Sequence, residues 1–209
     1  MNVALLTVPL ISIITATMHF YNSREFIELV LSQPIPRKAV FLGEYLGISF
    51  GLVIATICGL GIPMLLYGIS WEGLLLIAIC SLITMIFTGI AFLCAISAND
   101  KAKGIGLAMI IWFFMVVIFD ALLLLVLFLF SDYPLEKFMI VITWFNPIDL
   151  SRIIILLQTD TAALMGYTGA IYNQYLGTFV GLLTCSCALL IWMLLPALLA
   201  AKKFNKKDF

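Results

Sequence analysis

The stretch NSREFIELVLSQPIPRK, residues 22–38, stands between two long apolar runs, and its reading decides how the rest of the chain is threaded. Asn22 is placed to cap a helix, and Glu25 three residues later is placed to reach back in a capping box. Phe26, Ile27, Leu29, Val30 and Leu31 supply an apolar side, and Pro34 and Pro36 stop the helix. The pattern predicts a short amphipathic helix within residues 22–36, too polar to cross a bilayer. Such a helix either lies on the lipid surface or docks onto a soluble partner.

Everything around this stretch belongs to a membrane. Of the 209 residues, 64% are apolar and 11% charged, and the mean hydropathy is +1.20, outside the range of soluble domains. A span needs roughly 20 apolar residues to cross about 30 Å of hydrocarbon. Five segments qualify, at about Val3–Tyr21, Leu42–Tyr67, Leu74–Ser97, Ile105–Phe130 and Gly177–Ala201. The expected fold is therefore an all-α integral membrane protein with five transmembrane helices in one domain, residues 1–209. The region 131–176 is too broken in hydropathy to span and is expected to form interfacial or half-inserted helices on the outward face.

Orientation follows from the basic residues, which are retained in the cytoplasm. Arg24, Arg37, Lys38, Lys101, Lys103, Lys202, Lys203, Lys206 and Lys207 fall on one side, and only Lys137 and Arg152 on the other. The helix at 22–36 and the C-terminus are accordingly expected in the cytoplasm, with Met1 outside. An outward start without a basic n-region or cleavage site is unusual, and it leads us to expect a further span ahead of Met1. Lys plus Arg equal Asp plus Glu at 11 each, so no basic bias points to nucleic acid.

Few residues inside the membrane can carry chemistry. Asp120 lies deep in its span, where a carboxylate is unfavourable by about 2.5–3.5 kcal/mol unless it faces protein or water. It is expected to face the bundle, as a structural polar partner or as part of a translocation path. Glu44 sits nearer the cytoplasmic boundary and is expected to lie beside Arg37 or Lys38. In the outward region, Asn146 as cap, Pro147 at the first helical position and Asp149 near the positive end of the dipole define a helix start. Arg152 is spaced to pair with Asp149. A second short helix is expected from Thr159 or Asp160 to about Gly166.

Other chemistries find no footing. The five cysteines all lie in apolar runs and read as small hydrophobes. Cys185 and Cys187, two apart on a helix, point to nearly opposite faces. His19 and Met18 adjoin near the end of the first span without further ligands, so no metal site is expected. Gly43, Gly47 and Gly51, each four apart, suit close helix packing. There is no phosphate-binding loop, zinc-protease motif or nucleophile elbow, so no catalytic residue is expected. The absence of an internal repeat argues against an inverted-repeat transporter.

The segment REFIELVLSQPIPRKAVFLGEYLG resembles the first cytoplasmic loop of type-2 ABC exporter permeases, through Arg24, Glu25, Glu28, Ser32, Pro34, Arg37, Gly43 and Gly47. Glu44 departs from that pattern, standing where many relatives have lysine. FNPIDLSRIIILLQTDTAALMGYTGAIYNQYLG and the KKDF end are similar to the permease family of the nitrous oxide reductase maturation transporters, the NosY type. The resemblance implies spans two to six of a six-span permease and makes 22–36 a coupling helix. Arg24, Glu25, Phe26, Glu28, Leu29, Ser32, Pro34 and Arg37 would then dock an ABC ATPase subunit. It further implies a homodimer in the bacterial inner membrane, no cofactor on this chain, and ATP with magnesium on the ATPase. A periplasmic accessory protein and a copper chaperone are further implied partners, with copper-sulfur centre assembly as the process. An exporter of drugs, lipids or glycans and a non-transporting assembly subunit are the alternatives.

Overall fold

The computed structural model describes residues 1–130, 136–158 and 179–206. The described residues form helices α1 (Asn2–Asn22), α2 (Arg24–Leu31), α3 (Arg37–Tyr67), α4 (Trp71–Ser97), α5 (Lys101–Phe113), α6 (Phe119–Leu129), α7 (Glu136–Thr143), α8 (Pro147–Leu157) and α9 (Phe179–Lys206). A π-helical stretch, Phe114–Ile118, joins α5 to α6. Among the described residues, five segments are long and apolar enough to cross a membrane: α1, α3, α4, α5–α6 as one unit, and the Gly181–Lys206 part of α9. The expected five-span, all-helical fold is what forms. The helix expected at 159–166 lies outside the described residues.

Helix boundaries follow local chemistry. The extended backbone of Pro36 starts α3 at Arg37, earlier than the apolar run itself begins. At the other end of α3, Gly68 takes a φ of +109°, which an L side chain rarely adopts, and turns the chain into α4. Ser70 caps α4 by accepting a hydrogen bond from the Gly73 amide at 3.1 Å. Helix α9 continues past Ala201 through Lys202, Lys203 and Lys206, where positive charge suits the C-terminal end of a helix.

Helix α4 is the most buried span and packs against α1, α3, α5 and α9. Its buried hydroxyls are satisfied within the helix, Thr84 donating to the Cys80 carbonyl at 2.9 Å and Thr88 to the Thr84 carbonyl at 2.7 Å, as apolar surroundings demand. Thr56 and Thr84 also bond across α3 and α4 at 3.2 Å. By contrast, α3 and α5–α6 bury little of their surface. A Cβ added at Gly43, Gly47 or Gly51 would meet nothing within 4 Å, so the close packing expected of these glycines does not occur among the described residues. They line an open face of α3.

The lysine-rich ends of the spans are tied together. Phe92 of α4 packs against Phe20 of α1 and against Phe41 and Tyr45 of α3, with ring centroids 5.4, 5.9 and 5.8 Å away. Phe41 also meets Phe204 of α9 at 5.5 Å. The Lys203 ammonium donates to Ser97 Oγ, and that of Lys101 to Asn22 Oδ1, both at 2.9 Å.

The Tyr21 hydroxyl lies over the α4–α5 link, donating within 3.1 Å of the Ala95 carbonyl and 3.2 Å of the Asp100 carbonyl. It fits only because residue 104 is glycine, since a Cβ there would come within 2.7 Å of two Tyr21 ring carbons. Gly104→Ala is expected to destabilise the chain by about 1–3 kcal/mol through overpacking. Thermal unfolding in detergent would show it, and a Tyr21→Ala background should remove most of the additional loss.

Candidate functional site

Two places gather the residues singled out in the sequence, one at each end of the bundle. At the lysine-rich end, α2 is anchored through Ile27, which is fully buried, while Phe26 and Leu29 remain 61% and 60% exposed. Glu25 and Glu28 are exposed beside them. Arg24 Nε holds Glu28 Oε1 at 3.0 Å, one turn on. The helix thus presents two apolar side chains and two carboxylates away from the bundle. Ser32 closes it by donating to the Leu29 carbonyl at 2.7 Å, and Pro34 and Pro36 follow in exposed chain.

Three local expectations are corrected here. Asn22 does not cap α2: it is the last residue of α1, and its side chain accepts from Lys101. Ser23 takes the cap position without a side-chain hydrogen bond, so no capping box forms. Glu44 does not lie beside Arg37 or Lys38; its Oε2 is 3.6 Å from His19 Nδ1 on α1. Both atoms are buried and lack a hydrogen-bond partner among the described residues. Arg37 instead donates to the Asn205 carbonyl of α9 at 3.4 Å.

At the far end, α8 is tucked against α1, α4 and α9, burying Pro147, Ile148, Leu150, Ile153, Ile154 and Ile155. Asn146 is its cap, accepting from the Ile148 amide at 3.0 Å, as its sequence context predicts. The same side chain donates to the Met115 carbonyl at 2.7 Å and to Asp149 Oδ2 at 3.1 Å. Met115 lies in the π-helical stretch, where a widened backbone ladder frees a carbonyl for an outside donor.

Arg152 joins this end into one network. Its Nη1 donates to Asp149 Oδ1 at 3.2 Å, the predicted pair, and to Asp120 Oδ2 at 3.1 Å, a partner 32 positions away. Asp120 therefore faces protein, as expected, and the π-helical stretch leads directly into the first turn of α6 where it sits. Burial pushes the Asp149 carboxyl up to about 7; the neighbouring Asp120 carboxylate adds to the rise and Arg152 opposes it.

The family model for ABC-2 family transporter proteins matches residues 4–209. The chain belongs to the ABC-2 transporter family. Among curated proteins, this ABC-2 chain is 28% identical over 177 residues to the "Probable ABC transporter permease protein NosY" of Pseudomonas aeruginosa, covering 79% of this chain and 64% of that protein. It is 26% identical over 165 residues to the protein of the same name from Stutzerimonas stutzeri, covering 73% of this chain and 60% of the relative. It spans less than two thirds of the length of these relatives. Among the described residues of the ABC-2 chain, no three His, Cys, Asp or Glu side chains gather to hold a metal, and Cys185 is buried while Cys187 is exposed.

Proposed function

We propose that this chain is the permease subunit of an ABC transporter and that α2 is the helix through which a separate ATPase moves the spans. The supporting observation is the exposed pair Phe26 and Leu29 on a helix anchored by Ile27. Apolar side chains of this size, rimmed by Glu25 and Glu28, suit a protein groove. The lysine-rich end is cytoplasmic in this reading, as the asymmetry of basic residues favours. ATP and magnesium reside on the ATPase, and two copies of the permease work together in the bacterial inner membrane. Similarity to proteins named NosY supports a role in assembling the copper-sulfur centres of nitrous oxide reductase. A periplasmic accessory protein and a copper chaperone would complete that machinery.

The test is co-purification of the proposed ATPase subunit with three variants: Phe26→Asp, Leu29→Asp and Glu28→Lys. Each is expected to reduce the bound ATPase about tenfold or more, through loss of one apolar anchor in the first two and reversal of a rim charge in the third, with membrane levels of the permease unchanged. Undiminished ATPase binding in all three would rule out docking through α2. Neighbouring genes for nitrous oxide reductase would support the copper-centre assignment, whereas drug or glycan genes would redirect the cargo.

A further inference from the structure

Two carboxylates and one guanidinium meet at the far-end junction. Asp120 and Asp149 share a single Arg152 nitrogen, at 3.1 and 3.2 Å. That nitrogen carries two hydrogens, one for each carboxylate, while Arg152 Nε is buried without a hydrogen-bond partner among the described residues, so one positive charge serves both acids. With both acids ionised, the junction carries one uncompensated negative charge where Asp149 is buried and its two partners are partly exposed, an arrangement that favours uptake of a proton. The same junction holds α8 to the span through Asn146, whose amide bonds both Asp149 and the π-helical Met115 carbonyl.

We propose that Asp149, Asp120 and Arg152 form an acid-responsive latch between α8 and the π-helical part of the α5–α6 span. With a proton on Asp149, charge is balanced, Asn146 stays on Met115, and the latch is closed. Without it, two carboxylates compete for one guanidinium and α8 loosens from the span.

Among the described residues, the charged groups acting on Asp149 are Asp120 and Arg152. Elsewhere on the helices packed against α8, charge is confined to helix ends: His19 at the end of α1, Glu72 at the start of α4, Glu136 and Lys137 at the start of α7, and Lys202, Lys203 and Lys206 at the end of α9. The direction follows from linkage. Asp149 titrates at about 7 in the closed junction against an ordinary 3.8, so the closed form binds the proton more tightly. Between those values, each unit of rising pH favours opening by up to about tenfold, and the effect levels off above them.

The experiment is a distance measurement between spin labels at Leu124→Cys on α6 and Gln158→Cys after α8. It uses the full chain in lipid nanodiscs, with the native cysteines replaced by alanine, from pH 5.5 to 8. The separated population is expected to grow relative to the closed one by about tenfold or more. Asp149→Asn, which is permanently neutral, should stay closed at every pH, and Asp120→Asn, which restores charge balance by another route, should also flatten the response. A wild-type distance that does not change with pH, or a response that survives in either variant, overturns the latch.

Discussion

Phe92→Ala is expected to destabilise the chain by about 3 kcal/mol, the lower end for removing a buried phenylalanine. Phe92 is fully buried and is the ring on which Phe20, Phe41 and Tyr45 converge from two other helices. The lower end applies because lipid is as apolar as the protein interior, so the loss is one of packing and ring contacts more than of transfer from water. Thermal unfolding in detergent should show a midpoint about 6–12 °C lower at this chain length. Phe92→Leu, which keeps most of the volume, should retain more than half of the lost stability. An alanine variant as stable as wild type would mean that the ring cluster does not hold the lysine-rich end together.

Arg152→Met is expected to be nearly as severe at pH 8. Removing one partner of a buried ion pair leaves an unbalanced charge and is strongly unfavourable. Because Arg152 and Asp120 are each about a third exposed, at 31% and 34%, the expected loss is about 2–4 kcal/mol, below the range for full burial. Combining Arg152→Met with Asp120→Asn and Asp149→Asn should recover much of it, because no charge then remains unpaired. If the triple variant were no better than the single one, Arg152 would contribute packing and little else.

What could be read from the sequence was local. Length and hydropathy mark the spans, Pro34 and Pro36 bound α2, and the order Asn146, Pro147, Asp149, Arg152 encodes a capped helix with an internal ion pair. Each of these depends on residues within a few positions of one another. The Arg152–Asp120 contact does not, because it joins 32 positions and Asp120 sits in a span whose apolar monotony reveals no preferred face. The same uniformity hides the π-helical segment FMVVI, since nothing in five apolar residues distinguishes one backbone ladder from another. Gly43, Gly47 and Gly51 mark a smooth face without saying what covers it. Asn22 reads equally well as the cap of α2 and as the end of α1, and Lys101, 79 positions away, decides between them.

The π-helical segment carries a meaning for how the sequence can change over time. It accommodates one residue more than a regular α-helical turn would, so losing a single residue from Phe114–Ile118 would let α5 and α6 fuse into one uninterrupted helix. The extra residue is taken up within the widened turn, so that loss would leave the faces beyond it in place, whereas straightening the stretch without the loss would rotate everything beyond by about 100° about the axis, carrying Asp120 away from Arg152. The reading frame of this span is thus set by length as well as by composition: substitutions among its apolar residues are mild, and a residue lost from the widened turn is absorbed there, whereas a one-residue insertion or deletion in the regular helix on either side would change which side chain the span offers to α8.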